Sequence, residues 1–446
     1  MIQRFHSRFR AGRSRRAAAG FTIAEMVVTL LIFSIVALGI LAMFDMNGRI
    51  ARVEGRVTDM QQALRAGQQD MVRVVRMTAR GGLPLMLFKD TPPGFPGKEL
   101  PAGLAIEVAN NVAAGTQIAG SAEAPVVQGT DVITVRGVFS TLYQNNPAGA
   151  GFTITERDSN GVPKKGRLAL SNTSPTGVPQ NLQDVAEAID RAKNGKPESY
   201  LLVSPLEDAI FAVVEIDGST SDHVEAGGVT TSATVSFNAS GTEHSDLYKL
   251  LSPGGNFPST MTTVAYSGVL VEYKYYIRDP GPLKGKVQAN QGNLLEPTLA
   301  RARLYPGTNT PYEKSDENLR EEIAEDVFDL QATLGIDLNG DEIVAEGIDA
   351  AGRKADEWLY NEVGDATTSA TWNGTAAASR KLSYVRITTL ARTAGADPQP
   401  QWQAPVLARF EDKDYQTSPF NEFNTTVQRR YRRQSLQSVV DLRNLS

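Results

Sequence analysis

The chain has 446 residues, 41% apolar and 21% charged, which is enough for a sizeable core and one to three folded domains. It has no cysteine, which excludes disulfides, thiolate metal sites and cysteine nucleophiles, and its three histidines (His6, His223, His244) show no zinc spacing. The chain carries −5 overall. Its first 20 residues hold six arginines and no acid, so everything after Gly20 carries −11, which argues against nucleic-acid binding by the surface at large.

The N-terminus is the most informative stretch. Phe21 to Phe44 holds a single charge, Glu25. As a helix these residues rise roughly 36 Å, enough to cross a bilayer. Arginines precede the run and Asp45 follows it, so the positive-inside bias puts the N-terminus in the cytoplasm and the rest outside. A cleaved secretory signal places small residues after the apolar run, whereas Ala17-Ala18-Ala19-Gly20 stands before it. A plain anchor leaves Glu25 unexplained, because an acid within hydrocarbon costs a few kcal/mol.

Gly20-Phe21-Thr22-Ile23-Ala24-Glu25 resembles the class III signal of type IV pilins and type II secretion pseudopilins. The resemblance implies cleavage by prepilin peptidase between Gly20 and Phe21 and N-methylation of Phe21. It also implies an assembly role for Glu25, the fifth residue after the cut, facing the amine of a neighbouring Phe21. The 20-residue leader is longer than those of many type IVa pilins, which weakens the subtype assignment only.

Beyond Asp45 the pattern becomes amphipathic. Ile50, Val57, Leu64 and Met71 recur every seven residues, as do Val53, Met60 and Val74 with Gly67 between them. Gly81-Gly82-Leu83-Pro84 is a strong stop. One helix from Phe21 to Arg80 is expected, with Gly39 and Gly48 as candidate bend points. A coiled coil fits the spacing too. Gly55 and Gly67 favour packing against the chain's own sheet.

Segment 83–130 reads as loops with a strand at Leu104–Val108. Further strands are expected at Asp131–Phe139, Gly151–Thr155, Arg167–Leu170, Tyr200–Ser204, Ile210–Ile216, Thr230–Phe237 and Gly268–Arg278. Arg301–Tyr305 is expected to pair with the last of these as a hairpin. Leu382–Thr393 and Arg429–Leu442 complete the strands. Helices are expected at Asn181–Lys193 and Leu319–Leu334, and 140–200, 218–262 and 350–380 read as decorations. The fold class is α+β: a long N-terminal transmembrane and amphipathic helix packed on a large antiparallel β-rich exported domain. The domains are a 1–20 leader, a 21–46 transmembrane and filament-core helix, its 47–82 continuation and an 83–446 exported domain.

Several blocks are similar to PilW-like minor pilins. They are Gly129–Gly137, Glu322–Leu330 followed by Gly335-Ile336-Asp337-Leu338-Asn339-Gly340-Asp341, Tyr384–Arg392, and the Arg-rich tail from Arg429 to Asn444. In that family the second block is a helix and an Asp-rich turn.

No G-x-S-x-G, H-E-x-x-H or Walker loop is present, and Gly281–Lys286 has the wrong spacing for one, so no enzyme activity is expected. Asp337, Asn339 and Asp341 alternate as calcium ligands do, although Glu342 stands where such loops place glycine. The competing reading is a solvated turn. Arg429, Arg430, Arg432 and Arg433 read as a strand whose exposed positions pair with the domain's many acids, or as a site for DNA or an acidic partner.

The function these features imply is that of a minor pilin that helps initiate or cap type IV pilus assembly. Its partners would be prepilin peptidase, other minor and major pilins, and the inner-membrane assembly platform. The protein would sit in the inner membrane by a single pass, with a periplasmic domain that later reaches the pilus. The alternatives are a J-like minor pseudopilin of a type II secretion system, and an adhesin or DNA-receptor module displayed on a pilin anchor.

Overall fold

The computed structural model describes residues 22–78, 86–87, 102–103, 105–118, 125–144, 151–173 (except 158, 160 and 162), 177, 179–203, 211–238, 264–279, 297–307, 311–312, 321–337, 344, 357–361, 381–399, 401–418 and 420–442. It forms two compact units, 1–55 and 56–446. The first helix, α1 (Ile23–Arg76), contributes to both.

α1 begins at a capping box. The Glu25 carboxylate accepts from the Thr22 amide at 2.9 Å, and the Thr22 hydroxyl accepts from the Glu25 amide at 3.2 Å. The helix runs unbroken through Gly39 and Gly48, the expected bend points. It ends in a tightened turn, with Met77 N bonded to Val74 O and Thr78 N to Val75 O.

The second unit is built on two antiparallel sheets. The central sheet has five strands in the spatial order Glu321–Glu325, Thr298–Leu304, Val271–Arg278, Val132–Gly137 and Ile106–Ala109. The C-terminal sheet has four, in the order Trp358–Leu359, Val327–Asp337, Lys381–Arg392 and Arg433–Asp441. One residue, Asp326, joins the two sheets, and its φ of 60° turns the chain between them. Met60, Leu64, Met71, Val74 and Val75 of α1 share one apolar core with residues of both sheets, including Ile133, Tyr275, Leu299, Leu330 and Ile387. The expected packing of the amphipathic helix on the chain's own sheet is therefore found.

Gly67 explains the tightness of that packing. A Cβ on it would lie 2.7 Å from Leu299 Cδ2 and 3.3 Å from the Ala324 Cβ. Beside it, buried Gln68 donates to the Leu436 carbonyl at 2.9 Å and to the Thr389 hydroxyl at 3.0 Å, clasping two strands of the C-terminal sheet. Buried Asp131 ties the sheets directly. Its carboxylate accepts from Ala332 N at 2.7 Å and from Asn111 N at 2.8 Å, and its own amide donates to Leu330 O.

Two of the expected decorations, 140–200 and 218–262, belong to a single inserted block, whereas most of 350–380 lies outside the described residues. Val271 pairs with Gly137, so the chain leaves the central sheet at 137 and returns at 271 to the neighbouring position. Among the described residues, the intervening segment folds into two further four-stranded sheets and α2 (Gln183–Lys193). One of those sheets is buried on both faces. Leu201 and Val213 reach the main core, while Tyr200, Leu202 and Val214 reach a second core with Phe237 and α2 residues Val185 and Ile189. This alternation is the period-two signature of a strand between two layers.

The helix expected at Leu319–Leu334, and with it the family helix suggested for Glu322–Leu330, is not present. These residues form the strands Glu321–Glu325 and Val327–Asp337. Val327 to Ile336 are buried throughout, and apolar Phe328, Leu330, Ala332, Leu334 and Ile336 alternate with Asp329, Gln331, Thr333 and Gly335, which is the period of a strand and not of a helix. Arg429–Leu442 is likewise two elements, a short 3-10 turn at Gln428–Arg430 and the strand Arg433–Asp441. Gly268–Arg278 divides at Leu270 into Tyr266–Val269 and Val271–Arg278. The expected hairpin of this strand with the segment around Arg301–Tyr305 is present as Val271–Arg278 against Thr298–Leu304.

Candidate functional site

The site singled out by the sequence is the start of α1. Gly20 and Phe21 lie outside the described residues. Glu25 is exposed, and both of its carboxylate contacts go to Thr22: the backbone amide at 2.9 Å and the hydroxyl at 3.0 Å. Within one chain the acid is thus a helix cap, which reduces its cost in an apolar surrounding by giving the charge two donors. The T-x-x-E signature is present in the sequence as Thr22-Ile23-Ala24-Glu25, and Thr22 is the residue that reading for charge alone misses.

The apolar run carries two further polar groups, both satisfied along the helix. Thr29 Oγ donates to the Glu25 carbonyl and Ser34 Oγ to the Leu30 carbonyl, each at 2.7 Å. Around them Val27, Leu31, Phe33, Leu38 and Phe44 are all more than half exposed. A helix face this apolar needs lipid or other apolar helices around it. Among the described residues, α1 is the only helix long and apolar enough to cross a membrane.

Where α1 meets the sheets, the polar contacts are specific. Asp70 accepts from the Tyr275 hydroxyl at 2.7 Å and pairs with Arg301 at 3.0 Å, and Arg301 pairs with Glu321 at 2.7 Å. Burial first, and then the Asp70 charge, pushes the Tyr275 phenol well above its ordinary value, so it remains a donor.

The C-terminal arginines serve the local fold. Arg432 pairs with buried Asp397 at 2.9 Å and lies 4.8 Å from the Trp402 ring centre. Arg429 and Arg430 donate to the carbonyls of Ala404 and Asp397, and Arg433 donates to the Phe423 carbonyl. Among the described residues, the expected pairing with acids is seen for Arg432, while the other three donate to backbone carbonyls.

Asp337 closes the strand Val327–Asp337, its backbone opposite Lys381, while Asn339 and Asp341 lie outside the described residues, as does Gly281–Lys286. Among the described residues, no group of three or more His, Cys, Asp or Glu is placed to hold a metal ion.

Residues 15–41 match the prokaryotic N-terminal methylation motif, a stretch that contains Gly20, Phe21, Thr22 and Glu25. Residues 286–444 match the family Type IV Pilus-assembly protein W. The second match takes in the last strands of the central sheet and the whole C-terminal sheet. It leaves out the inserted block and the Gly129–Gly137 strand, which the sequence likeness includes. No curated protein and no solved structure matches the chain. An apolar, membrane-capable run led by the methylation motif, on a helix whose later part packs against antiparallel sheets, supports a membrane-anchored type IV pilin. The match over its C-terminal third supports, more particularly, a PilW-like type IV pilin. Its class works with other pilins and the pilus assembly machinery, and its matched families are structural rather than enzymatic.

Proposed function

We propose that this chain is a minor pilin that helps initiate or cap type IV pilus assembly. The observation that carries the reading is the block inserted between Gly137 and Val271, two residues that face each other across neighbouring strands. A pilin body enlarged by two extra sheets and a helix is ill suited to close repetition along a thin filament and well suited to a single place near its end. In this reading, prepilin peptidase cuts between Gly20 and Phe21 and the new Phe21 amine is methylated. The Glu25 carboxylate then exchanges its Thr22 contacts for a neighbouring subunit's amine. The assembly platform of the inner membrane receives the subunit, and its second unit passes through the periplasm into the pilus.

Deleting the gene tests the reading. It predicts a marked loss of surface pili with intact major pilin in the membrane. Normal pilus number, with loss of secreted enzymes instead, would move the chain to the J-like pseudopilins of type II secretion. The inserted block also favours a display role as an adhesin or DNA receptor, checked by binding of the purified protein to cells or DNA. Calcium at Asp337, Asn339 and Asp341 is a separate proposal, which a melting temperature unmoved by saturating calcium would remove.

A further inference from the structure

The C-terminal sheet carries a lysine and an aspartate that are both shut away from water. Asp329 sits on the strand Val327–Asp337, and Lys413 on the short hairpin of Arg409–Phe410 with Lys413–Asp414. Each side chain is 1% exposed, and Nζ lies 3.0 Å from Oδ1. The surroundings are aromatic and aliphatic: Phe328, Leu390, Leu407 and Tyr415 are buried, with Phe410, Phe420 and Phe423 packed against them. Lys413 Nζ lies 4.7 Å from the Phe420 ring centre and 5.1 Å from that of Tyr415.

The aspartate is held from both sides. The Tyr415 hydroxyl donates to Oδ2. Oδ1 accepts from Gln331 Nε2 at 2.9 Å and Leu330 N at 3.0 Å besides the lysine. Burial first, and then the Asp329 charge, raises the Tyr415 phenol well above its ordinary value, which keeps its proton on the hydroxyl.

A buried ion pair loses several kcal/mol of hydration per ion, and in a dry site the neutral amine and carboxylic acid compete with the charged pair. The same dry site is where an amine and an acid condense, because water is scarce to solvate the reactants or to reverse the product. Holding reacting groups about 3 Å apart in a fixed orientation replaces roughly 10⁵ M or more of a free reactant.

We propose that Lys413 and Asp329 join in an intramolecular amide bond. The Lys413 ammonium passes one proton to Oδ1 across the 3.0 Å contact, leaving a neutral amine and a carboxylic acid. The amine nitrogen attacks Cγ, and the electron pair of the Cγ–Oδ2 double bond moves onto Oδ2, where the Tyr415 hydroxyl stabilises it. A second proton moves from nitrogen to Oδ1, the Cγ–Oδ1 bond breaks, and Oδ1 leaves as water. Oδ2 becomes the amide oxygen, still bonded to Tyr415. The net change is one ammonium and one carboxylate converted to one amide and one water, with no oxidant or cofactor. Tyr415 acts as a positioning and polarising group, and Gln331 holds the carboxyl in plane.

Intact-mass measurement of the purified full chain, followed by peptide mapping, tests this directly. The expected result is a mass one water below that required by the sequence and its processed N-terminus, together with a branched peptide containing both Asp329 and Lys413. Lys413→Arg and Asp329→Ala should each restore the full mass, and Tyr415→Phe should leave a mixture that converts slowly with time after synthesis. An unmodified mass with Asp329 and Lys413 in separate linear peptides would overturn the proposal and leave a structural ion pair. So would a water loss that persists in Lys413→Arg.

Discussion

The Tyr275 hydroxyl donates a 2.7 Å hydrogen bond to the Asp70 carboxylate, joining α1 to the middle strand of the central sheet. Arg301, on the adjacent strand, pairs with the same carboxylate. Asp70→Asn should therefore lower the stability of the second unit by about 1–3 kcal/mol, since it leaves Arg301 short of a charged partner in a half-buried place. Tyr275→Phe should cost about 1 kcal/mol. Urea unfolding of the detergent-solubilised protein measures both. Because the residues touch, the double variant should lose less than the sum of the singles.

Two glycines of one helix should respond oppositely. Gly67 faces Leu299 and Ala324 at close quarters, so Gly67→Leu should push α1 off the sheet at a cost of about 1–3 kcal/mol. A Cβ added at Gly55 would meet no atom within 4 Å, so Gly55→Ala should raise helix stability by up to about 1 kcal/mol. Thermal unfolding of the two variants side by side checks the contrast.

Asp131 should give an inverted pH signature. Burial, opposed by hydrogen bonds from Asn111 and Ala332 and aided by the neighbouring Asp412 charge, raises its carboxyl well above the ordinary 3.8. The folded state therefore holds the proton more tightly than the unfolded chain. The stability this provides is complete below the unfolded value and is lost as pH rises through the folded one. Asp131→Asn lacks that dependence, so its deficit relative to wild type should be largest near pH 4 and shrink toward neutrality. Melting temperatures across that range decide the matter.

Thr22 and Glu25 separate capping from assembly. Thr22→Ala removes the hydroxyl that completes the capping box and should loosen the first turn by about 1 kcal/mol, read as faster amide exchange. Glu25→Ala should lower recovery in sheared pili far more than Thr22→Ala does. Equal recovery of the two variants would reduce Glu25 to a cap.

Features that depend on local pattern were legible in the sequence. The apolar run and the seven-residue stripe from Ile50 to Met71 are periodic, and α1 carries them as expected. The strands around Val132–Gly137 and Val271–Arg278 showed in their β-branched and aromatic residues. Long-range pairing did not show. Nothing near Gly137 announces that its partner is Val271, so one inserted block reads as two separate decorations, 140–200 and 218–262. Leu319–Leu334 reads as helix because its acid-rich start, Glu321 to Asp326, suits a first helical turn, although Phe328, Leu330, Ala332 and Leu334 alternate with polar residues at the strand period. The arginines from 429 to 433 look like a charge pattern, whereas their partners are mostly loop carbonyls distant in sequence.

The most direct measurement is the N-terminal residue of the membrane-extracted protein, determined by mass spectrometry in cells with and without prepilin peptidase. The account predicts an N-methylated Phe21 that gives way to the uncut leader when the peptidase is absent. An intact Met1 in peptidase-containing cells, or a cut beyond the apolar run, would contradict it.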